Sequence, residues 1–297
     1  MSTSARAASA ATLLVLVLAA CGPAEQPAET GPSTVPLSPA PTTPAGPEFP
    51  GPETTGVPAG IVLEPSSSLV IDEDGTVVDG LDVDGCVVIA ADDVTIRNTR
   101  ITCTDSPRHR AVSTDGSRTG LVIEDTEVDG GGVTDIGIDV SNVVIRRVDV
   151  HNVNDGIRMG SNITVEDSWV HDLVRADDLH PDAIQGISSK NIIIRGNTLD
   201  PRNPDTGDLA NSAIQLGSET GDERSENVVI EGNYLNGGNY SLNLRLDITA
   251  EDFVIRDNVF GPDARYGPMI GPPSVRFGTG NVLEDGSSAS PTYREGE

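Results

Sequence analysis

From Val94 onward, apolar and polar residues alternate within one recurring eight-residue phrase. Its copies are Val94–Ile101, Leu121–Val128, Val143–Val150, Ile163–Val170, Ile192–Leu199, Val228–Leu235 and Phe253–Phe260. Their starts lie 27, 22, 20, 29, 36 and 25 residues apart. Alternation with a period of two predicts short strands, and no stretch of useful length has helical periodicity. A strand of this kind cannot bury its own apolar face. An irregular repeat of 20 or more residues therefore predicts a solenoid, in which each unit is stabilised by its neighbours. The expected fold is all-β, a single-stranded parallel β-helix of about seven or eight coils over residues 61–285.

Stacking the copies assigns faces. The third position is aliphatic throughout (Ile96, Ile123, Ile145, Val165, Ile194, Ile230, Ile255) and must point inward. The fourth reads Arg97, Glu124, Arg146, Glu166, Arg195, Glu231, Arg256, so its sign changes at every coil. Coils lie about 4.8 Å apart, and opposite charges on neighbouring strands attract. This column sets register: a slip of one coil would oppose like charges. Asn197, Asn233 and Asn258 align as an amide stack. A second strand completes each coil and contributes a small column, Ala111, Gly137, Gly156, Ala183, Ala213 and Ser241. Beside it runs a polar one, Ser113, Asp139, Arg158, Gln185, Gln215 and Asn243. The two-residue period places both columns outward. The small one is then the floor of a groove along the helix axis, a shape that suits a linear polymer.

The ends of the chain read differently. Arg6, the apolar run Leu13–Leu18 and Leu18-Ala19-Ala20-Cys21 form an export signal over residues 1–21, too short to span a bilayer. Residues 22–60 hold eleven of the 21 prolines and read as a disordered tether. Residues 286–297 read as a tail. The net charge of −27 argues against nucleic-acid binding, which needs clustered Lys and Arg. It leaves room for one local basic pocket. Aromatic residues are only 3% of the chain, which suits an elongated stack filled by Val, Ile and Leu. Cys86 and Cys103 fall in the first coils. An exported protein can join them in a disulfide, and two buried free thiols are the other reading.

Chemistry concentrates beside the longest turns, which follow Val170 and Leu199. His151 and His171 follow the phrase in consecutive coils and should stack. His180 closes the turn and opens the segment His180-Pro-Asp-Ala-Ile-Gln185. Imidazoles can move protons near neutral pH, and Arg158 beside Asp155 and Asp182 can neutralise a carboxylate or a developing oxyanion. The bland alternative is that these histidines bond turn backbones and that Asp155 and Asp182 cap strand starts. Trp169 and Tyr234 share an outward column two coils apart, suited either to stacking on sugars or to a plain surface. Asp172, Asp177, Asp178 and Asp182 offer oxygen ligands of the kind Ca²⁺ takes, although spacing alone fixes no metal site.

The repeated phrase, the Asn stack, Asp155-Gly-Ile and His180-Pro-Asp-Ala-Ile-Gln185 resemble the right-handed parallel β-helix proteins of the pectate-lyase-like superfamily. The closest likeness is to secreted bacterial repeat proteins with a His-x-Asp-Gly-x-Gln motif, in which Ala183 here replaces the Gly. The likeness covers about residues 60–285. Residues 18–21 resemble the bacterial lipobox, which implies a lipidated Cys21 and a protein held at the outer face of the membrane by that anchor alone; a monomer is expected. The superfamily includes polysaccharide lyases, hydrolases, epimerases and noncatalytic surface proteins. Two functions follow from the resemblance. In a uronate-polymer lyase acting by β-elimination, Arg158 would neutralise the uronate and His180 would take the proton. His151, His171 and Asp182 would stand near that chemistry, while Gln185, Gln215, Asp155, Asn243, Trp169 and Tyr234 would hold the chain. The other function is noncatalytic polysaccharide binding or a structural role.

Overall fold

A computed structural model describes residues 48–106, 108–217, 225–245 and 252–294. Cys21, the signal segment and most of the tether lie outside these residues. The described chain is all-β, with parallel strands arranged in two sheets, as in a parallel β-helix solenoid.

One sheet is built from the repeated phrase. Its eight strands stack strictly in chain order, from Val77–Asp79 through Thr95–Arg97 to Phe253–Arg256. Ile96, Ile123, Ile145, Val165, Ile194, Ile230 and Ile255 are mutual register partners and all are buried, as expected. Val, Ile and Leu fill most of the interior, with Phe253 and Phe260 as its buried rings, in keeping with the low aromatic content. The charged column also forms, led by Asp79. It resolves into separate groups: Arg97 on Asp79 at 2.8 Å, Arg146 on Glu124 at 2.6 Å, and Glu166, Arg195, Glu231 and Arg256 in a run. At the following bend the Asn stack is continuous and fully enclosed. Asn197 donates to Asn233 (2.9 Å), Asn233 to Asn258 (2.9 Å) and Asn258 to Asn281 (3.0 Å), which adds a fourth member. The amides of Asn197, Asn233 and Asn258 also donate to strand carbonyls of the preceding coil, Val165, Ile194 and Ile230, so buried polar groups that would otherwise be costly are satisfied.

The second sheet has sixteen strands and carries both remaining faces of each coil. Glu127–Val140 and Asp149–Met159 each run unbroken from the end of the phrase through the second strand. In the next coils this path is interrupted by residues 172–181 and 201–211.

Three expectations need correction. The small column is not a groove floor. Ala111, Ala183, Ala213 and Ser241 have no exposed surface. A Cβ on Gly156 would meet Val170 Cγ1 at 2.4 Å and the Ala183 carbonyl oxygen at 2.5 Å. Asp182, Ala183 and Ile184 are all buried, so the two-residue alternation fails where the chain wraps round the core. Small residues sit there because the inside of the bend is crowded. The second correction concerns residues 48–60, read as tether. Residues 48–56 of this segment pack on the coils before the first strand, Glu64–Ile71, begins. The third concerns the tail: Pro291–Tyr293 forms a strand beside Gly267–Gly271. Cys86 and Cys103 are joined by a disulfide that ties the first coils together.

Candidate functional site

The polar column is in register, Ser113, Asp139, Arg158, Gln185, Gln215 and Asn243; Asp139, Arg158 and Gln185 are partly exposed, whereas Ser113, Gln215 and Asn243 are buried. Its centre is a tight network. Arg158 donates from Nη2 to Asp155 Oδ2 (2.8 Å) and from Nε to Gln185 Oε1 (3.1 Å). Asp155 Oδ1 accepts the Asp182 backbone N–H at 3.2 Å, and Asp182 Oδ1 accepts Asn211 Nδ2 at 2.9 Å. Thus the structure brings together Arg158, Asp155, Asp182 and Gln185.

Both carboxyls lie under this layer, 2% and 0% exposed. Burial raises the pKa of Asp155 to about 6, against the opposing pull of Arg158. Burial, and then the neighbouring Asp155 charge, push Asp182 well above the usual carboxylate range. Loss of hydration disfavours the charged form, and a second carboxylate adds to it. Further along, Gln215 and Asn243 are almost covered, and Arg294 donates to Asn243.

The histidines belong to a different group. His151 and His171 stack with ring centres 5.2 Å apart, and Trp169 lies against His171 at 3.4 Å, nearly parallel. His171 Nε2 is 2.9 Å from Asp149 Oδ1, and its Nδ1 is 2.9 Å from Asp172 Oδ2. His151 Nε2 faces Glu127 at 3.4 Å. Burial works against charge on His151, but the Glu127 bond and the charges of Asp149 and Asp129 outweigh it and raise its pKa. No hydrogen bond or ion pair links this stack to Arg158 among the described residues. His180 is exposed at the end of its loop, and among the described residues no hydrogen bond or ion pair ties it to either group. Asp177 and Asp178 are exposed while Asp182 is enclosed, and among the described residues no three acidic, His or Cys side chains converge on a metal position.

Trp169 and His171 of this stack line a pocket of about 330 Å³. Thr198 and Asp200, their register partners on the next strand, line it with them, and Asp172, Arg202 and Asp208 come from two turns. Arg175 of the first turn clasps Asp208 of the second (2.7 and 3.1 Å), locking them together. Arg202 is held by Asp200 at 2.6 Å and by Asp263 at 2.7 Å. A pocket of this size with one large aromatic face and a few fixed polar groups has the make-up of a small-ligand site. Sequence reading named Trp169 and His171 but missed Asp200, Arg202 and Asp208. The usable signal was the length of the turn after Leu199.

Comparison with family models, curated proteins and solved structures finds no match to this chain.

Proposed function

We propose that this protein is a noncatalytic polysaccharide-binding β-helix, and that the pocket beside Trp169 takes an uncharged sugar. The observation that carries this reading is the pocket's charge make-up. Three aspartates and one arginine line it, and that arginine is already clasped by two carboxylates. A uronate entering there would meet three aspartates and no uncommitted cation, and would have to displace Asp200 or Asp263 from Arg202. A neutral sugar brings hydroxyl donors for the aspartates and an apolar ring face for the indole.

The same reasoning weighs against a uronate lyase on the polar column. Arg158 is held by Asp155 at 2.8 Å and by Gln185 at 3.1 Å. The right-handed, pectate-lyase-like character of the fold and export through a lipobox belong to this proposal. Cys21 would carry the lipid, and the proline-rich segment ahead of residue 48 would hold the domain away from the membrane.

Trp169 is the chain's one tryptophan, so its fluorescence reports on the pocket directly. Neutral gluco-, manno- and galacto-oligosaccharides, as dimers and hexamers, are titrated against the purified chain, alongside oligogalacturonates. Saturable fluorescence change with a neutral sugar, lost in Asp208→Ala, is expected. Tight binding of oligogalacturonate alone, or release of an unsaturated product, would refute the proposal. Membrane fractionation of wild type and Cys21→Ala tests the anchor: the wild type is expected with the membrane, the variant not.

A further inference from the structure

Residues 48–56 are not part of any coil, yet they lie in a fixed place. The Phe49 ring packs on Tyr234, with centres 5.5 Å apart. The Pro50 carbonyl accepts the Thr198 hydroxyl at 2.6 Å. After a turn in which Thr55 bonds back to Gly51, the Gly56 N–H reaches the Arg147 carbonyl at 3.0 Å. Gly56 has a φ of +72°, and a Cβ there would stand 3.2 Å from Asp149 Cβ, so only glycine allows so close a pass. The segment therefore crosses the coils as a strap, running from Tyr234 back towards Asp149.

Its path follows one outward column. Asp149, Trp169, Thr198 and Tyr234 are successive register partners. Two coil steps, about 10 Å, separate Trp169 from Tyr234. Thr198 is shared: it lines the Trp169 pocket and also binds the strap. The strap thus begins where that pocket ends. A space of about 370 Å³ remains between it and the coils, lined by Phe49, Pro50, Thr54, Arg147 and Asp167. The contacts it makes at this column are ones a sugar can reproduce. A ring face lies on Tyr234, and an oxygen accepts from Thr198.

We propose that Trp169, Thr198 and Tyr234 form one extended glycan groove, and that residues 48–56 of this chain occupy its far half until a longer glycan displaces them. The Tyr234 subsite takes a further uncharged sugar unit. This rests on the reading of the Trp169 pocket as a glycan site. The strap is suited to displacement because its end at Thr198 and Tyr234 is held there by one aromatic contact and one hydrogen bond, and that end is joined to proline-rich chain.

The test uses the full chain, wild type and Phe49→Ala, with a dimer and a hexamer of whichever neutral panel sugar binds. Phe49 lies on the strap and outside the Trp169 pocket. Fluorescence gives affinity, and hydrogen exchange of residues 48–58 gives the state of the strap. Phe49→Ala is expected to tighten hexamer binding tenfold or more and to leave dimer binding unchanged. In the wild type, exchange across the strap is expected to accelerate with hexamer and not with dimer. Dimer binding without either effect overturns the groove while the pocket reading stands. Failure of both sugars to bind either protein overturns the pocket reading and the groove with it.

Discussion

Two buried carboxyls on neighbouring coils make this fold more stable in mild acid than at neutral pH. Asp155 has its pKa raised from 3.8 to about 6, chiefly by burial, and its side chain is only 3% exposed. The folded state therefore holds this proton more tightly than the unfolded chain does. The stabilisation is complete below about pH 3.8 and is lost as pH rises through about 6. A shift of roughly two units corresponds to about 3 kcal/mol at 1.36 kcal/mol per unit. Asp182 is shifted in the same direction and adds to the trend. Asp79, Asp82 and Asp208 have lowered values, held down by Asn98 and Arg97, by Arg100 and by Arg175. Their contribution is present above the ordinary carboxylate range and lost below it, so stability is expected to peak near pH 4–5. Urea melts of wild type and Asp155→Asn from pH 3.5 to 7.5 measure the effect. The wild type is expected to lose about 3 kcal/mol between pH 4 and 6.5, and the variant much less. General repulsion among the chain's excess carboxylates acts on both proteins and cancels in the comparison. Equal slopes in the two proteins would refute the assignment of this proton to Asp155.

Ala183→Leu is expected to lower stability by about 1–3 kcal/mol, because Ala183 has no exposed surface and its neighbourhood is already full; an unchanged melting temperature would put that side chain outside. Glu166→Arg places like charge between Arg146 and Arg195 and is expected to cost on the order of 1 kcal/mol at low salt, with the loss shrinking at high salt. Reducing the Cys86–Cys103 bond, which closes a 17-residue separation, is expected to cost about 3 kcal/mol, read as a lowered melting temperature with reductant. A Cys86→Ala/Cys103→Ala variant should then melt at the same temperature with and without reductant.

What the sequence determined by itself was whatever repeats locally. The phrase from Val94 to Phe260 carries its own faces, because a two-residue period states which side each residue takes once one side is apolar. The inward Ile column, the alternating Arg and Glu, and the stacked asparagines all follow from that. The same rule failed at Ala183, since it assumes a flat strand, and only the packed coil shows that three residues in a row are buried there. The pairing of Arg158 with Asp155 was legible as proximity. The depth of Asp155 and Asp182, which gives them their altered protonation, came from the layer above them. The strap was illegible for another reason. Proline-rich composition says that a segment cannot build its own core, and residues 48–56 build none. Phe49, the one aromatic residue between 22 and 60, was the hint, but Tyr234 lies 185 residues further along the chain. Likewise, Arg202 and Asp208 join Asp200 in lining the pocket through turns that Arg175 and Asp263 help to fix. Alternation along a strand is a local property of the chain, whereas the direction of a bend, the depth of a charge and the partner of a strap exist only once the coils are stacked.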